Sequence, residues 1–437
     1  MEGLKEITDY ILGFLLGDEE AAKQVTYSSN AAIFDNYKLV VIPSDFFKEG
    51  CYATSHSLPQ LPLAEWEGSP LLFGKSKVER RGDSLLLYAD VVASSYFLIS
   101  RYEEMLRPDC RDRHGRFPAE ESLPFRAAFL QRPLVEEYGR SLRKLLREQG
   151  VDITEKPPTL RKIYLTHDVD ALSHYRNLRS WAAALLRSPN SPQETIVASK
   201  SYFGKIENDP WYSFPWLLER NTSVWQKYGP DVCETIFFIK GGGGKSREDT
   251  PTANIMSRDY RKFFQYCREA GASIGLHPSY QAGEKTELIA EEREKLEKAA
   301  ACSITYSRNH YLRSREPRDM QALIEAGIEH DFTMGYAASA GFRLGTCRAV
   351  RFINPETQSL TALTLHPLNV MDISLNDPRY MALKEEEALQ EVRKLIETCH
   401  SHKGELCLLW HNNAVASRTA SYHRNLYREI TEYLIRR

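Results

Sequence analysis

The chain has 437 residues, of which 42% are hydrophobic and 27% charged, and a formal net charge of −2. That composition suits a globular protein of two or three domains, and so small a charge supplies no field to attract nucleic acid or anionic lipid. No stretch approaches the roughly 18–20 apolar residues of a membrane span, and the acidic N-terminus lacks the basic start of a secretory signal, so the expectation is a cytoplasmic protein without membrane insertion.

In chain order, the apolar run at residues 10–16 reads as one buried helix turn, residues 37–42 and 84–89 as strands, and residues 92–105 as a helix. A strongly periodic helix over 133–149 ends at Gly150, and the polar segment 152–159, with Pro157 and Pro158, reads as a linker. Nothing before it has catalytic spacing, so residues 1–155 are expected to form a small α/β companion domain. Eight cysteines without a close pair argue against a disulfide scaffold and a cysteine-rich zinc site.

From residue 156 to 437 the pattern becomes short apolar runs alternating with helical segments. Strands are expected at 162–166, 234–239, 272–276, 303–306, 360–365 and 406–410. Helices are expected at 211–228, 258–270, 285–300, 320–326 and 384–401. This rhythm predicts parallel strands with crossover helices, as an open sheet or a closed barrel, which periodicity alone does not separate.

The residues just past the strands are more informative. One strand runs into His167-Asp168-Val169-Asp170, another into His277-Pro278-Ser279-Tyr280, a third into Arg308-Asn309-His310-Tyr311, and the last into Trp410-His411. C-terminal strand ends of parallel barrels share one face, where catalytic groups collect. Two carboxylates as close as Asp168 and Asp170 repel, and a divalent cation removes that conflict, with one as ligand and the other free as base. His277 offers a neutral imidazole ligand, and such a metal lowers the pKa of bound water towards about 7 and polarises a carbonyl. His411 is then placed to protonate a departing amine, and Arg308 to orient the catalytic carboxylate. Singly, an Asp at a strand end is often only a helix N-cap, and a lone His is more often a packing residue. Four such groups after four strands favour a shared site.

On these residues the region 156–437 resembles the polysaccharide deacetylase family (NodB-homology, carbohydrate esterase family 4-like), in a divergent branch with an N-terminal companion domain. The resemblance implies an irregular (β/α) barrel and metal-dependent hydrolysis of an N-acyl, typically N-acetyl, C–N bond on a carbohydrate of surface polysaccharide metabolism. It makes Asp168 the base and Asp170 a metal ligand; the Asp-x-Asp form is similar to that of cyclic-imidase and allantoinase-like members. The family's second motif has two histidines four residues apart, and here His277 is followed by Gln281 in the second place. In the third motif His310 then takes the ligand position, or water or substrate fills the gap. Leu409-Trp410-His411 matches the family's general-acid strand end. Ser279, Tyr311, Asp331 and Arg343 fall in motifs and loops that the resemblance assigns to the substrate mouth, and 366–367 with 371–372 match a further strand-end motif. Zinc is the implied metal. Because of Gln281 two other readings stand: a metal-free amidase of the cyclic-imidase branch, and a carbohydrate-binding protein without catalysis.

The run Gly241 to Ser246 invites a phosphate-loop reading, but the glycine required five positions before Gly244 is Ile239. A flexible loop beside the site fits better. Trp211, Tyr212, Phe214 and Trp216 sit at helical spacing and read as core packing before sugar stacking. The charged stretch 291–298 reads as a solvated helix face.

Overall fold

A computed structural model describes residues 2–187, 191–244, 246–416 and 421–437; Lys245 of the glycine run lies outside the described residues. The chain opens with a helix over Glu2–Leu16. Ile7, Ile11, Leu12, Leu15 and Leu16 are buried on it. Their spacing is that of a full amphipathic helix, so the single turn expected at 10–16 was too short a reading. Strands β1 (Val25–Tyr27), β2 (Leu39–Val41), β5 (Gly74–Arg81) and β6 (Ser84–Ala89) form a sheet in the order β1-β2-β6-β5. Between β2 and β5 a separate ribbon pairs β3 (Ala64–Trp66) with β4 (Ser69–Leu71). β5 escapes hydrophobic reading because it is an edge strand of Lys, Glu and Arg, almost wholly exposed; charge of this kind blocks edge-to-edge pairing. The helix expected at 92–105 is two, Val91–Ile99 and Tyr102–Leu106, broken where Arg101 takes a left-handed φ of 54°.

The second sheet has nine strands: β7 (Lys162–Val169), β8 (Cys233–Lys240), β9 (Ser273–His277), β10 (Tyr306–Ser307), β11 (His330–Met334), β12 (Val350–Asn354), β13 (Ser359–Pro367), β14 (Val370–Met371) and β15 (Glu405–Leu409). Their order is β12-β13-β11-β10-β9-β8-β7-β15-β14, parallel throughout except where β12 runs antiparallel to β13. The sheet is open, with β12 and β14 at its edges, so the fold is mixed α/β and no complete barrel closes. β7 and β15 are buried nearly end to end, as strands covered on both faces must be, and they read as continuous apolar runs for that reason. The strand expected at 303–306 is displaced towards the C-terminus because only Tyr306 and Ser307 pair with neighbours. Helices Phe214–Tyr228, Arg258–Glu269, Leu288–Ala300, Arg318–Glu325 and Glu385–Ser401 lie close to the expected spans. The hairpin of Leu178–Leu186 and Pro192–Phe203 and the last helix, Ser421–Arg436, were not anticipated. No helix among the described residues is long and apolar enough to cross a membrane.

The two sheets belong to regions joined by buried polar contacts. Arg343 donates to Glu104 from Nε at 2.9 Å and Nη2 at 2.6 Å. Arg101 pairs with Glu316 and donates to Ser314 Oγ at 3.2 Å. Glu136 accepts from Thr346 Oγ1 at 2.5 Å and Arg348 Nε at 2.9 Å. Phe342 N donates to Leu130 O at 2.8 Å, and Gly341 beside it has φ 141° with a Cβ position only 2.6 Å from that same oxygen. Only glycine fits so close an approach.

Candidate active site

In the order β10-β9-β8-β7-β15-β14 the parallel strands bring their C-terminal ends to one rim. β7 carries Asp168 and, one residue past its end, Asp170; β9 ends on His277; Arg308 follows β10; His411 lies two residues beyond β15; Asp372 follows β14. Asp168, Asp170, His277, His310, Tyr311 and His411 line one cavity of about 340 Å³.

Arg308 is fully buried, its guanidinium 4.4 Å above the Phe238 ring. It donates to Asp168 Oδ1 at 3.0 Å, Thr166 Oγ1 at 2.8 Å and Phe332 O at 3.0 Å. That network fixes the carboxylate with its second oxygen, Oδ2, 3.7 Å from His277 Nε2. Arg308 therefore lies behind Asp168 and does not line the cavity.

Asp170, His277 and His310 each present a ligand atom within 4.8 Å of one another. Asp170 Oδ1 is 3.1 Å from His310 Nε2 and 3.7 Å from His277 Nε2, yet it is buried and makes no well-directed hydrogen bond. His277 is backed on its far nitrogen, Nδ1 meeting the Arg308 carbonyl at 2.6 Å, which sets the tautomer that leaves Nε2 with its lone pair towards the centre. His310 Nδ1 is buried without a hydrogen-bond partner, 3.7 Å from Asp249 Oδ1. Two imidazoles and a carboxylate so arranged, with an unsatisfied inward oxygen, fit a divalent cation. Burial drives the His277 pKa down to about 4, so the ring is neutral at neutral pH. Burial also acts against charge on Asp170 and His310, but their mutual attraction outweighs it, holding the Asp170 carboxyl well below its ordinary value and raising the His310 ring.

His310 reaches this place through an unusual backbone. Tyr311 has φ 63° and Leu312 φ 53°, left-handed values that side-chain-bearing residues adopt at a cost of about 1–2 kcal/mol each. The turn swings His310 back under His277, their ring centroids 4.9 Å apart. Gln281 does not line the cavity; its side chain packs at Gly244, whose Cβ position lies 2.6 Å from Gln281 Oε1.

His411 completes the rim. Its Nδ1 lies 2.8 Å from Asp372 Oδ1, and its backbone N–H donates to Asp372 Oδ2 at 2.8 Å. Burial disfavours the charged ring, but the Asp372 carboxylate prevails and raises the pKa to about 9. His411 is thus protonated at neutral pH, with Nδ1 occupied and Nε2–H free for a substrate.

Three residues expected at the substrate mouth are not on the wall of this cavity. Ser279 Oγ donates to Glu292 at 2.5 Å and caps its own helix through Ala282 N. Asp331 is fully buried and accepts from Thr333 N at 3.0 Å and Oγ1 at 2.6 Å. Arg343 is committed to Glu104. Asp331 is satisfied within its own strand by Thr333, Ser279 by its helix and Glu292, and Arg343 by Glu104 from the N-terminal region. Tyr311 does line the cavity, and so does Trp211, of the aromatic run expected to be core; Phe214 is the fully buried one of that run. The missed participants are Asp249 and Lys240; Asp372 lay in a noted strand-end motif without an assigned role. Asp249 is fully buried, which raises its pKa, but the facing His310 ring and the N–H groups of Gly244, Tyr280 and Gln281 hold its carboxyl far below the ordinary range. The glycine run is accounted for by packing, since a Cβ on Gly242 would meet Glu292 Oε1 at 2.3 Å. The N-terminal region, which showed no site spacing, reaches the mouth: Arg116 lines the cavity and donates to the Tyr311 carbonyl at 3.1 Å.

A family model described only as a family of unknown function, DUF7033, matches residues 7–151, about a third of the chain. No curated protein matches the sequence. Among solved structures, a Mycobacterium smegmatis protein assigned to the polysaccharide deacetylases is 13% identical, over 65% of this chain and 89% of its own, with a TM-score of 0.39. The Puue allantoinase is 10% identical over 66% and 93%, with a TM-score of 0.40. A family 4 carbohydrate esterase pseudoenzyme from Bacillus anthracis is 13% identical over 64% and 65%, with a TM-score of 0.30. At such identities, and with TM-scores below 0.5, none of these likenesses carries a conclusion about chemistry.

Proposed function

We propose that this chain hydrolyses an N-acyl C–N bond, typically N-acetyl, on a carbohydrate, with a divalent cation held by Asp170, His277 and His310. The observation that carries this reading is the single cavity in which a buried, unsatisfied Asp170 oxygen faces two imidazoles, between a fixed carboxylate and a protonated histidine. A cation there, zinc by its mixed nitrogen and oxygen donors, supplies an acidified water and a polarised acyl carbonyl. Asp168, held by Arg308, accepts the proton of the water that adds to the acyl carbon. His411 Nε2 gives its proton to the nitrogen as the C–N bond breaks, so the products are a carboxylate and an amine. Asp372 keeps His411 oriented and charged for that transfer. In this reading residues 156–437 form the hydrolase unit and residues 1–155 its companion, in a cytoplasmic protein.

Metal content by mass spectrometry tests the assignment. Near-stoichiometric zinc in the wild type, lost in Asp170→Ala and His310→Ala but retained in Asp168→Asn, together with loss of N-acetyl sugar hydrolysis in all three, is the expected pattern. Absence of metal after reconstitution, with chelator-resistant turnover of cyclic imides, would replace it with a metal-free amidase. Sugar binding without any product would leave a non-catalytic carbohydrate-binding protein.

A further inference from the structure

Apolar side chains turn outward on the hairpin of helices Leu178–Leu186 and Pro192–Phe203. Leu178 is 64% exposed, Leu186 84% and Phe203 73%, and Leu185 and Ile196 are exposed beside them. Five of the eleven exposed large hydrophobic side chains among the described residues thus fall on these two helices, and the other six come singly from separate segments. Single apolar side chains on a surface are normal, whereas a cluster marks a face that meets something. Leu178 and Leu185 are seven residues apart on one helix, as are Ile196 and Phe203 on the other, so each pair forms a stripe along one side. Ala184 and Ala198 point inward, fully buried with Tyr175 in a small apolar cluster of the hairpin's own. Phe203 meets the Trp181 ring edge-on at 5.4 Å, which joins the two stripes into one patch.

Charge identifies what the patch meets. Residues 176–207 hold five Lys and Arg against two Glu, a net charge of +3 in a chain whose formal net charge is −2. Arg176 and Arg187 are paired, with Asp259 at 2.7 Å and Glu194 at 3.0 Å. Arg179, Lys200 and Lys205 are exposed and form no ion pair among the described residues. Lys200 stands four residues after Ile196 and three before Phe203, on the same stripe, where its stem can lie along the apolar side chains while the ammonium stays in water. We propose that this hairpin docks the protein on an anionic lipid bilayer, its apolar stripes entering the interface and its unpaired cations meeting the headgroups. Neither helix, at nine and twelve residues, can span a bilayer, so the contact is with one leaflet. A second copy of the chain fits less well, because a symmetric pair sets the patch against itself and these cations against their own images.

The root of the hairpin is fastened to the cavity that holds Asp170 and His411. Buried Asp209 accepts from His174 N at 2.8 Å, Tyr175 N at 2.9 Å and Ser201 Oγ at 2.6 Å, and also from Trp211 N at 3.0 Å. Trp211 lines that cavity, and the His174 ring lies 4.5 Å from it. One carboxylate therefore links both helices to the cavity wall, and a bilayer gripped by the hairpin is held beside it. The proposal stands on the hairpin alone and does not depend on what the cavity hydrolyses.

The test is cosedimentation of the full chain with two kinds of vesicle, phosphatidylcholine alone and about three parts phosphatidylcholine to one of phosphatidylglycerol. Partition into the mixed vesicles should be at least about tenfold stronger, and should weaken as salt is raised. The double variant Leu185→Ser, Phe203→Ser should lose about tenfold or more of that partition while keeping the wild-type circular dichroism. The double variant Arg179→Gln, Lys200→Gln should lose most of the preference for phosphatidylglycerol. Val78→Ser, at an exposed apolar position on edge strand β5, should partition as the wild type does. No partition, equal partition into both vesicles, or partition that survives the Leu185 and Phe203 changes would overturn the proposal. So would self-association that those two changes abolish without any vesicle binding, which would assign the patch to a second copy.

Discussion

Breaking the Glu104–Arg343 pair should destabilise the whole molecule far more than a surface ion pair would. Both side chains are at most 4% exposed, and the contact is bidentate, at 2.9 and 2.6 Å. Removing one partner of such a buried pair costs about 3–5 kcal/mol, against about 0.2–1 kcal/mol for an exposed pair. The two single variants should not be equal. After Arg343→Met, Glu104 still has Arg101 Nη1 at 4.0 Å, so the loss should lie near the lower figure. After Glu104→Gln, the Arg343 guanidinium keeps only the Gly335 carbonyl at 2.9 Å, and the loss should lie near the upper one. The double variant carries no orphaned charge and should recover about 2 kcal/mol or more relative to additivity. Urea unfolding, followed by circular dichroism and tryptophan fluorescence, measures all four proteins. With an m of about 3 kcal/mol/M, each single variant should lose about 1 M or more in midpoint. Strict additivity, or single losses below about 1 kcal/mol, would refute the claim that the pair is a desolvated link between the two regions.

Other outcomes concern the site. In Asp372→Asn the His411 ring loses the carboxylate that lifts its pKa to about 9. The stability lost should be largest between about pH 4 and pH 6.5. Asp372, held low, loses its contribution below that window, and His411, held high, loses its own as pH rises through about 9. Thermal melting across pH 4–10 checks this, and a wild-type minus variant difference that grows above pH 9 would contradict it. Gly341→Ala places a methyl against the Leu130 carbonyl in a left-handed backbone, and should lower stability by about 2 kcal/mol or more in the same urea assay. Asp249→Asn weakens the support behind His310 and should reduce zinc affinity about 10–100-fold in competition with a chromophoric chelator, with Asp170 and His277 still in place.

Much of the second sheet was legible because buried parallel strands are apolar along their whole length and end in polar residues at the rim. Residues 84–89 coincide with β6, and Asp168 and His277 lie at the C-terminal ends of β7 and β9, with His411 two residues past β15. The losses have physical reasons. β5 hides its strand character under edge charges, and β10 is too short for two residues to show a pattern. Arg101 sits at the break between the two helices with its guanidinium among Glu104, Ser314 and Glu316, and no local window contains the last two. Asp249 looked like one of several charges in a loop; its burial follows from three backbone N–H groups that converge only after folding. Ser279, Asp331 and Arg343 lie off the wall of the cavity that holds Asp170, their side chains committed to Glu292, Thr333 and Glu104.

Placing the second imidazole on the turn after β10, and not one helical turn beyond His277, has a consequence for how the molecule is made. Asp170 and His277 are separated by more than a hundred residues, and His310 comes from the turn after β10. No contiguous fragment short of the β7–β10 stretch contains all three groups, and ordering them requires closing long loops before any of the contacts is gained. On the proposed cation site, metal capture would follow the folding of residues 162–310. Uptake of zinc by a refolding or ribosome-bound chain would serve as a clock for docking of β10 onto β9, rather than for collapse of the sheet around β7 and β8.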